Sequence, residues 1–445
     1  MYKISMVSLG CSKNLIDSEL MMGILKDKEY EVTENCEEAD IIIVNTCGFI
    51  DKAKEESINT ILEVAEFKNS GRCKCIIVAG CLTERYREEI LNELPEVDAI
   101  LGTGNIEEIA EIVEKALEGE RVAQFGDINT DYQENIDRTV TTPGYTSYIK
   151  ISEGCDNHCT YCIIPKLRGK YRSRTMESVI EEAENLAENG TKEIILIAQD
   201  TSKYGIDIYG EFKLPELLDR LNEIEGLKWV RILYIYPETF TDELIAAMKR
   251  NEKVVHYVDI PIQHISDRIL KLMNRDTDKA SITALIKKLR KEIPDIAIRT
   301  TLIVGFPGET EEDFEELREY VIKTRFNRLG VFTYSREEDT PADRLPGHLD
   351  DEIKEQRQIE IMKEQEEISK ELSAESIGKT YDVLIEEYVE DGLYIGRTYM
   401  DSPEIDGIVY VDSMNELEIG NFVKVKIKDA LEYDLIGDVE DESGK

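Results

Sequence analysis

The sequence predicts an α/β chain in three parts: an N-terminal parallel α/β sheet domain over residues 1–125, a central partial (β/α)6 barrel over 141–372, and a small antiparallel β-barrel over 376–442. Residues 126–140 read as the linker between the first two. Short strands alternate with helical patterns in two separate runs, as in parallel sheets covered by helices. A polar, weakly patterned stretch separates the runs. After Ile377 the helices give way to short β-rich segments divided by turns.

In the first run Tyr2–Ser8, Ile41–Asn45, Cys75–Gly80 and Ala99–Gly102 read as strands, and Ile16–Lys26, Asp51–Glu66, Glu84–Leu91 and Ile106–Leu117 as helices. Alternation at these lengths predicts a sheet with helices on both faces and ligands beyond the carboxyl ends of its strands. In the second run the strands are Ser147–Ile151, Glu193–Ala198, Val230–Tyr234, His256–Ile260, Ala297–Val304 and Arg328–Thr333. Helical patterns such as Glu177–Asn189, Asp242–Lys249 and Glu311–Lys323 fall between them. Such strand–helix units suit an open barrel with its site at the C-terminal strand ends. Asp350 to Glu375 is a highly charged helical run, expected to be a solvated link. Tyr381–Glu387, Leu393–Tyr399, Ile408–Val411 and Phe422–Lys428 then predict the last barrel.

The chain has 445 residues and a net charge of −40. A broad acidic field repels nucleic acid and attracts basic partners. From Ser376 to Lys445 there are 6 Lys and Arg against 18 Asp and Glu, a balance of −12. Asp401, Glu404 and Asp406 fall in an expected turn of the last barrel and read as exposed recognition charges. No apolar run reaches the roughly 18 residues of a membrane span, and the N-terminus reads as a strand, not a signal peptide. Nine cysteines, six in motif-like settings, fit a reducing cytoplasm with metal-bound thiolates.

The chemistry is concentrated in Glu153-Gly-Cys-Asp-Asn-His-Cys-Thr-Tyr-Cys-Ile-Ile-Pro165. Cys155, Cys159 and Cys162 supply three thiolates to one face of an iron–sulfur cube, leaving one iron open for a small molecule. The competing readings are a zinc knuckle with His158 as fourth ligand, and a chance cluster of buried thiols. Cys11, Cys47 and Cys81 each follow a strand of the first domain and each lies next to a glycine. Three loops at one sheet edge suit a second cluster; three small buried residues at helix starts are the alternative. Cys36, Cys73 and Cys75 lack this context and read as incidental.

The three-cysteine stretch resembles the signature of radical S-adenosylmethionine (SAM) enzymes. Asn45-Thr-Cys47, Gly80-Cys81 and the order of domains resemble the methylthiotransferase family within that superfamily, whose C-terminal barrel is a TRAM domain. Ser8-Leu-Gly-Cys-Ser-Lys-Asn14, followed by Asp17-Ser-Glu19, and Asp259-Ile-Pro-Ile-Gln-His-Ile-Ser-Asp267 resemble its ribosomal-protein (RimO-type) branch. The resemblance implies two [4Fe-4S] clusters, on Cys155, Cys159 and Cys162 and on Cys11, Cys47 and Cys81, and two SAM molecules. It implies methylthiolation of the β-carbon of an aspartate in the twelfth small-subunit ribosomal protein, with electrons from a donor such as flavodoxin or ferredoxin. Thr301-Leu-Ile-Val-Gly-Phe-Pro-Gly-Glu309 resembles the stretch that lines the adenine in such barrels, and it carries Gly305 and Gly308 over as candidates; a glycine turn needed for shape is the other reading. Tyr161 is a further adenine candidate, Gln199 and Asp200 are ribose or amino-group candidates, and Arg299 is a carboxylate candidate. The runner-up is a tRNA adenosine methylthiotransferase, which the acidic last barrel disfavours because phosphate binding needs Lys and Arg. A non-catalytic iron–sulfur scaffold would need neither an open iron nor a SAM pocket.

Overall fold

A computed structural model describes residues 2–130, 134 and 137–440. Residues 131–133, 135 and 136 of the expected linker, and 441 and 442 of the expected last barrel, lie outside the described residues. The N-terminal sheet contains β1 (Lys3–Ser8), β2 (Glu31–Val32), β3 (Ile41–Thr46), β4 (Cys75–Gly80), β5 (Ala99–Leu101) and β6 (Val122–Gln124). Its order is β2-β1-β3-β4-β5-β6, with every pairing parallel. The central β3 and β4 are buried along their whole length, as strands covered on both faces must be. α1 (Ser12–Asp27) and α5 (Ile109–Leu117) pack on one face; α2 (Asp51–Ser70), α3 (Cys81–Tyr86) and α4 (Glu88–Glu93) pack on the other. The single helix expected at Glu84–Leu91 is two, because Arg87 adopts a φ of 46° between them, where a right-handed helix cannot continue.

The central domain contains β7 (Thr146–Lys150), β8 (Ser152–Glu153), α6 (Ile164–Arg168), β9 (Arg172–Ser173), α7 (Met176–Glu188), β10 (Glu193–Ile197), α8 (Ile206–Tyr209), α9 (Leu214–Glu223) and β11 (Trp229–Ile232). It continues through α10 (Asp242–Arg250), β12 (Tyr257–Asp259), α11 (Asp267–Leu272), α12 (Lys279–Glu292), β13 (Ala297–Val304), α13 (Glu311–Thr324), β14 (Arg328–Thr333) and α14 (Asp351–Ala374). β7-β10-β11 and β12-β13-β14 form parallel arcs, joined by a bridge between Val230 and Val254. Together they make the expected open six-stranded barrel. The short β8–β9 ribbon holds the cysteine loop between its arms.

α14 departs from the solvated link expected for it. Ile361 and Ile368 belong to the large central core, and Gln365 is buried, its Nε2 donating to Phe326 O at 2.9 Å. These residues fall on one stripe of an otherwise charged helix, so charge counting hides a core-facing side. α14 is the sixth covering helix of the barrel.

β15 (Thr380–Glu390), β16 (Leu393–Arg397), β17 (Val409–Asp412), β18 (Phe422–Ala430) and β19 (Leu435–Val439) close into a small barrel of order β15-β16-β17-β19-β18. All pairs are antiparallel except β17 with β19. This barrel covers the N-terminal ends of the central strands. Arg397 reaches Glu193, the first residue of β10, at 2.6 Å, and Arg231 holds the same carboxylate at 2.8 Å. Asp401 and Asp406, expected as exposed recognition charges, are spent here instead. Asp401 pairs with Arg328, and Asp406 accepts from the Tyr257 hydroxyl at 2.7 Å. Their side chains are 2 % and 3 % exposed, so they fasten one domain to another. Glu404 is exposed, as expected. Among the described residues no helix is long and apolar enough to cross a membrane.

Candidate active site

The three N-terminal cysteine loops meet at the carboxyl edge of their sheet. Gly10, at a φ of 86°, packs so closely that a Cβ there would stand 2.7 Å from Cys47 Cβ and 3.1 Å from its Sγ. Only glycine allows this approach. Asn14 is fully buried and ties the loops together. Its Nδ2 donates to Leu9 O at 3.0 Å and to Thr46 O at 2.9 Å, and its Oδ1 lies 3.7 Å from Cys81 Sγ. Burial pushes the Cys81 thiol up to about 12 despite Arg168 beside it, and raises Cys47 as well.

The second loop rises between β8 and α6. The Asn157 backbone N–H donates to Cys155 Sγ at 3.4 Å, the Cys162 N–H to Cys159 O at 3.1 Å, and Cys159 Sγ lies 3.8 Å from the Tyr236 hydroxyl. Burial pushes Cys155 to about 12 and Cys162 above its usual range. His158 is exposed while Cys155 and Cys159 are buried, so its ring points away from the pocket of the thiols. Cys36, Cys73 and Cys75 lie apart from both sites. Cys36 Sγ is 3.3 Å from Ser5 Oγ, and Cys73 donates to Cys75 O at 3.4 Å. Burial raises Cys73 to about 11 and Cys75 to about 12, as for packed, unreactive thiols.

A buried charge network joins the two sites, and no sequence motif announces it. Lys150 Nζ lies 2.6 Å from Asp17 and 2.7 Å from Glu153. Arg168 pairs with the same two carboxylates, donates to Asn14 Oδ1, and stands 3.4 Å from Cys81 Sγ. Glu153 lies two residues before Cys155. Burial alone would raise its carboxyl, but Lys150 and Arg168 outweigh it and hold the group well below the usual range. Asp17 and Glu153 stand inside quoted motifs, while Arg168 carries no local signal beyond its place after the cysteine loop. Lys13 enters the same mouth, its Nζ 3.0 Å above the Tyr234 ring centroid.

The SAM candidates separate. Tyr161 stands edge-on to Phe306, ring centroids 6.5 Å apart, and its buried hydroxyl has no partner among the described residues. Gln199 donates to Glu153 at 2.8 Å and leaves its buried Oε1 unpartnered. Asp200 is fully buried and accepts from Asn157 at 2.7 Å and Ser202 at 2.6 Å, so it braces the cysteine loop from below. Arg299 is already engaged, with Asp259 at 3.1 Å and Asp406 at 3.4 Å. Gly305 and Gly308 form the β13–α13 turn at positive φ. The Gly305 N–H donates to both oxygens of buried Glu309 at 3.0 Å, and a Cβ on Gly305 would stand 2.3 Å from Lys354. That turn needs glycine for its own shape.

Three family models match the chain in the order of its domains: Uncharacterized protein family UPF0004 over residues 3–102, Radical SAM superfamily over 149–321, and TRAM domain over 377–439. The ribosomal protein uS12 methylthiotransferase RimO of Clostridioides difficile (strain 630) is 56 % identical over 439 residues, 99 % of each chain. That of Thermoanaerobacter sp. (strain X514) is 52 % identical over 98 % of this chain and all of its own. Among solved structures, the radical SAM methyltransferase TsrM from Kitasatospora setae superposes at a TM-score of 0.56 and 15 % identity, covering 77 % of this chain and 74 % of that one, a likeness of fold alone.

Proposed function

This chain belongs to the RimO family of radical SAM methylthiotransferases, and from that premise we propose that it places a methylthio group on the β-carbon of an aspartate of ribosomal protein uS12, giving 3-methylthioaspartate. The observation that carries the reading is the pairing of two three-cysteine sites across one buried charge network. A substrate carbon held in that mouth lies between both.

The β-carbon of an aspartate carries an unactivated C–H bond, which no side-chain base removes at a useful rate. SAM on an open iron supplies the radical chemistry for such a hydrogen once an electron arrives. The chain's own work is placement. Cys155, Cys159 and Cys162 hold the barrel cluster, and Cys11, Cys47 and Cys81 the auxiliary one. Tyr161 with Phe306 walls the adenine side of the barrel site, and the free Oε1 of Gln199 accepts a hydrogen bond from SAM. Asp200 keeps the cysteine loop in register, and Arg299 serves the domain junction. Two clusters, two SAM molecules per product, a flavodoxin or ferredoxin donor and action in the cytoplasm complete the reading. The acidic surface suits a basic ribosomal protein better than RNA.

Mass spectrometry of uS12 after reaction tests the substrate: a methylthio gain on aspartate is expected, and an unmodified uS12 beside a methylthiolated tRNA would replace this reading. Anaerobic reconstitution tests the clusters. Wild type should hold about eight irons, and replacing Cys155, Cys159 and Cys162 by Ala should leave about half. Full retention would show that this triad is no cluster site.

A further inference from the structure

Lys13 is 6 % exposed, and among the described residues no carboxylate lies within ion-pair distance of its amine and no acceptor bonds to it. The other buried cations around it are paired: Lys150 and Arg168 with Asp17 and Glu153, Arg299 with Asp259, and Arg275 with Glu238 at 2.9 Å. Cys11, Asp259 and Glu153 lie near enough to favour its charge, but the two carboxylates are bonded to Arg299, Lys150 and Arg168, and the face of one aromatic ring recovers only part of the cost of burying the amine.

The surroundings hold the amine in place. Tyr234 follows β11 at a φ of 61°, a strained setting for an aromatic residue, and its N–H donates to Asp259 Oδ2 at 3.2 Å. Lys13 lies two residues after Cys11, in the first turn of α1. A cationic donor without an ion-pair partner therefore sits where the Cys11 loop meets the barrel mouth.

We propose that Lys13 receives the side-chain carboxylate of the substrate aspartate and so fixes the adjoining β-carbon between the two cysteine sites. The proposal rests on the uS12 reading above. In an aspartate the carboxylate bound and the carbon attacked are directly bonded. A neutral amide or nucleobase offers this lysine no counter-ion.

The test uses reconstituted full-length enzyme, recombinant uS12, and uS12 with the target aspartate changed to asparagine. Wild type should bind the aspartate protein about ten-fold or more tightly than the asparagine protein, the scale of a hydrogen-bonded charge. Lys13→Met should bring the two within about two-fold and raise KM for uS12 more than it lowers kcat, while Lys13→Arg should restore part of the preference. Iron content and thermal midpoint serve as controls on folding. A Lys13→Met enzyme that keeps the wild-type preference, or that has lost its iron, overturns the proposal. Wild type that makes no methylthio product on uS12 overturns instead the reading on which it rests.

Discussion

Asn14 and Arg168 do more at the residue scale than their neighbours in sequence indicate. Asn14 spends its amide on two loop carbonyls, and its remaining oxygen accepts from Arg168. Arg168 in turn balances Asp17 and Glu153, two carboxylates with little exposure. Removing one partner of such a network leaves charge buried without compensation. Arg168→Met should therefore destabilise the chain by about 3–5 kcal/mol, measured by denaturant unfolding of the cluster-free protein. A loss below about 1 kcal/mol would mean that water already solvates the network. The six motif cysteines are legible because their short motifs and glycine neighbours are local. Arg168 is not, because its partners lie up to 154 residues away in sequence.

At the scale of the element, α14 shows how a charged sequence conceals a packed helix. Ile361 is fully buried against the central core, while Ile359 two positions earlier is 48 % exposed. Ile361→Ala should cost about 2–5 kcal/mol as a core truncation. Ile359→Ala should stay within about 0.5 kcal/mol. Equal, small effects from both would restore the solvated link that the charge pattern predicts. Most strands are legible as short apolar runs between breakers. β2, β6, β8, β9 and β19 are not: β2 and β6 are edge strands of two and three residues, β8 and β9 are a two-residue ribbon, and β19 lies in the acidic tail.

Across the whole molecule, two domains cap opposite ends of one barrel. The first meets the strands' carboxyl ends through Asp17, Lys150 and Arg168; the last meets their amino ends through Glu193, Arg231 and Arg397. Burial alone would raise the Glu193 carboxyl, but Arg397 and Arg231 outweigh it and hold the group below its usual range. Its contribution to stability is thus fully present above the unfolded value of about 4.3 and is lost as pH falls through the lowered folded value. Acid should loosen this junction, and Glu193→Gln should flatten the stability profile below about pH 4.3, read from unfolding midpoints across pH. An unchanged acid limb would place the sensitivity elsewhere. The net charge of −40 acts at longer range. Affinity for basic uS12 should fall as salt rises, because exposed charges are screened beyond about 8 Å at physiological ionic strength. A salt-independent affinity in a titration would show that contact, and not field, holds the partner.

The sequence by itself determined the three-domain order, the positions of the two cysteine triads and the family, because each is written in local signals: strand and helix periods, short cysteine motifs, glycines at tight approaches. Tertiary structure alone decided what the polar residues between the motifs are for. It spent Arg299, Asp401 and Asp406 on a domain junction, made Asp200 a brace, put α14 into the core, and left Lys13 without a counter-ion beside Cys11. The reason is physical. A buried charge is defined by the partner that meets it, and here those partners come from other domains.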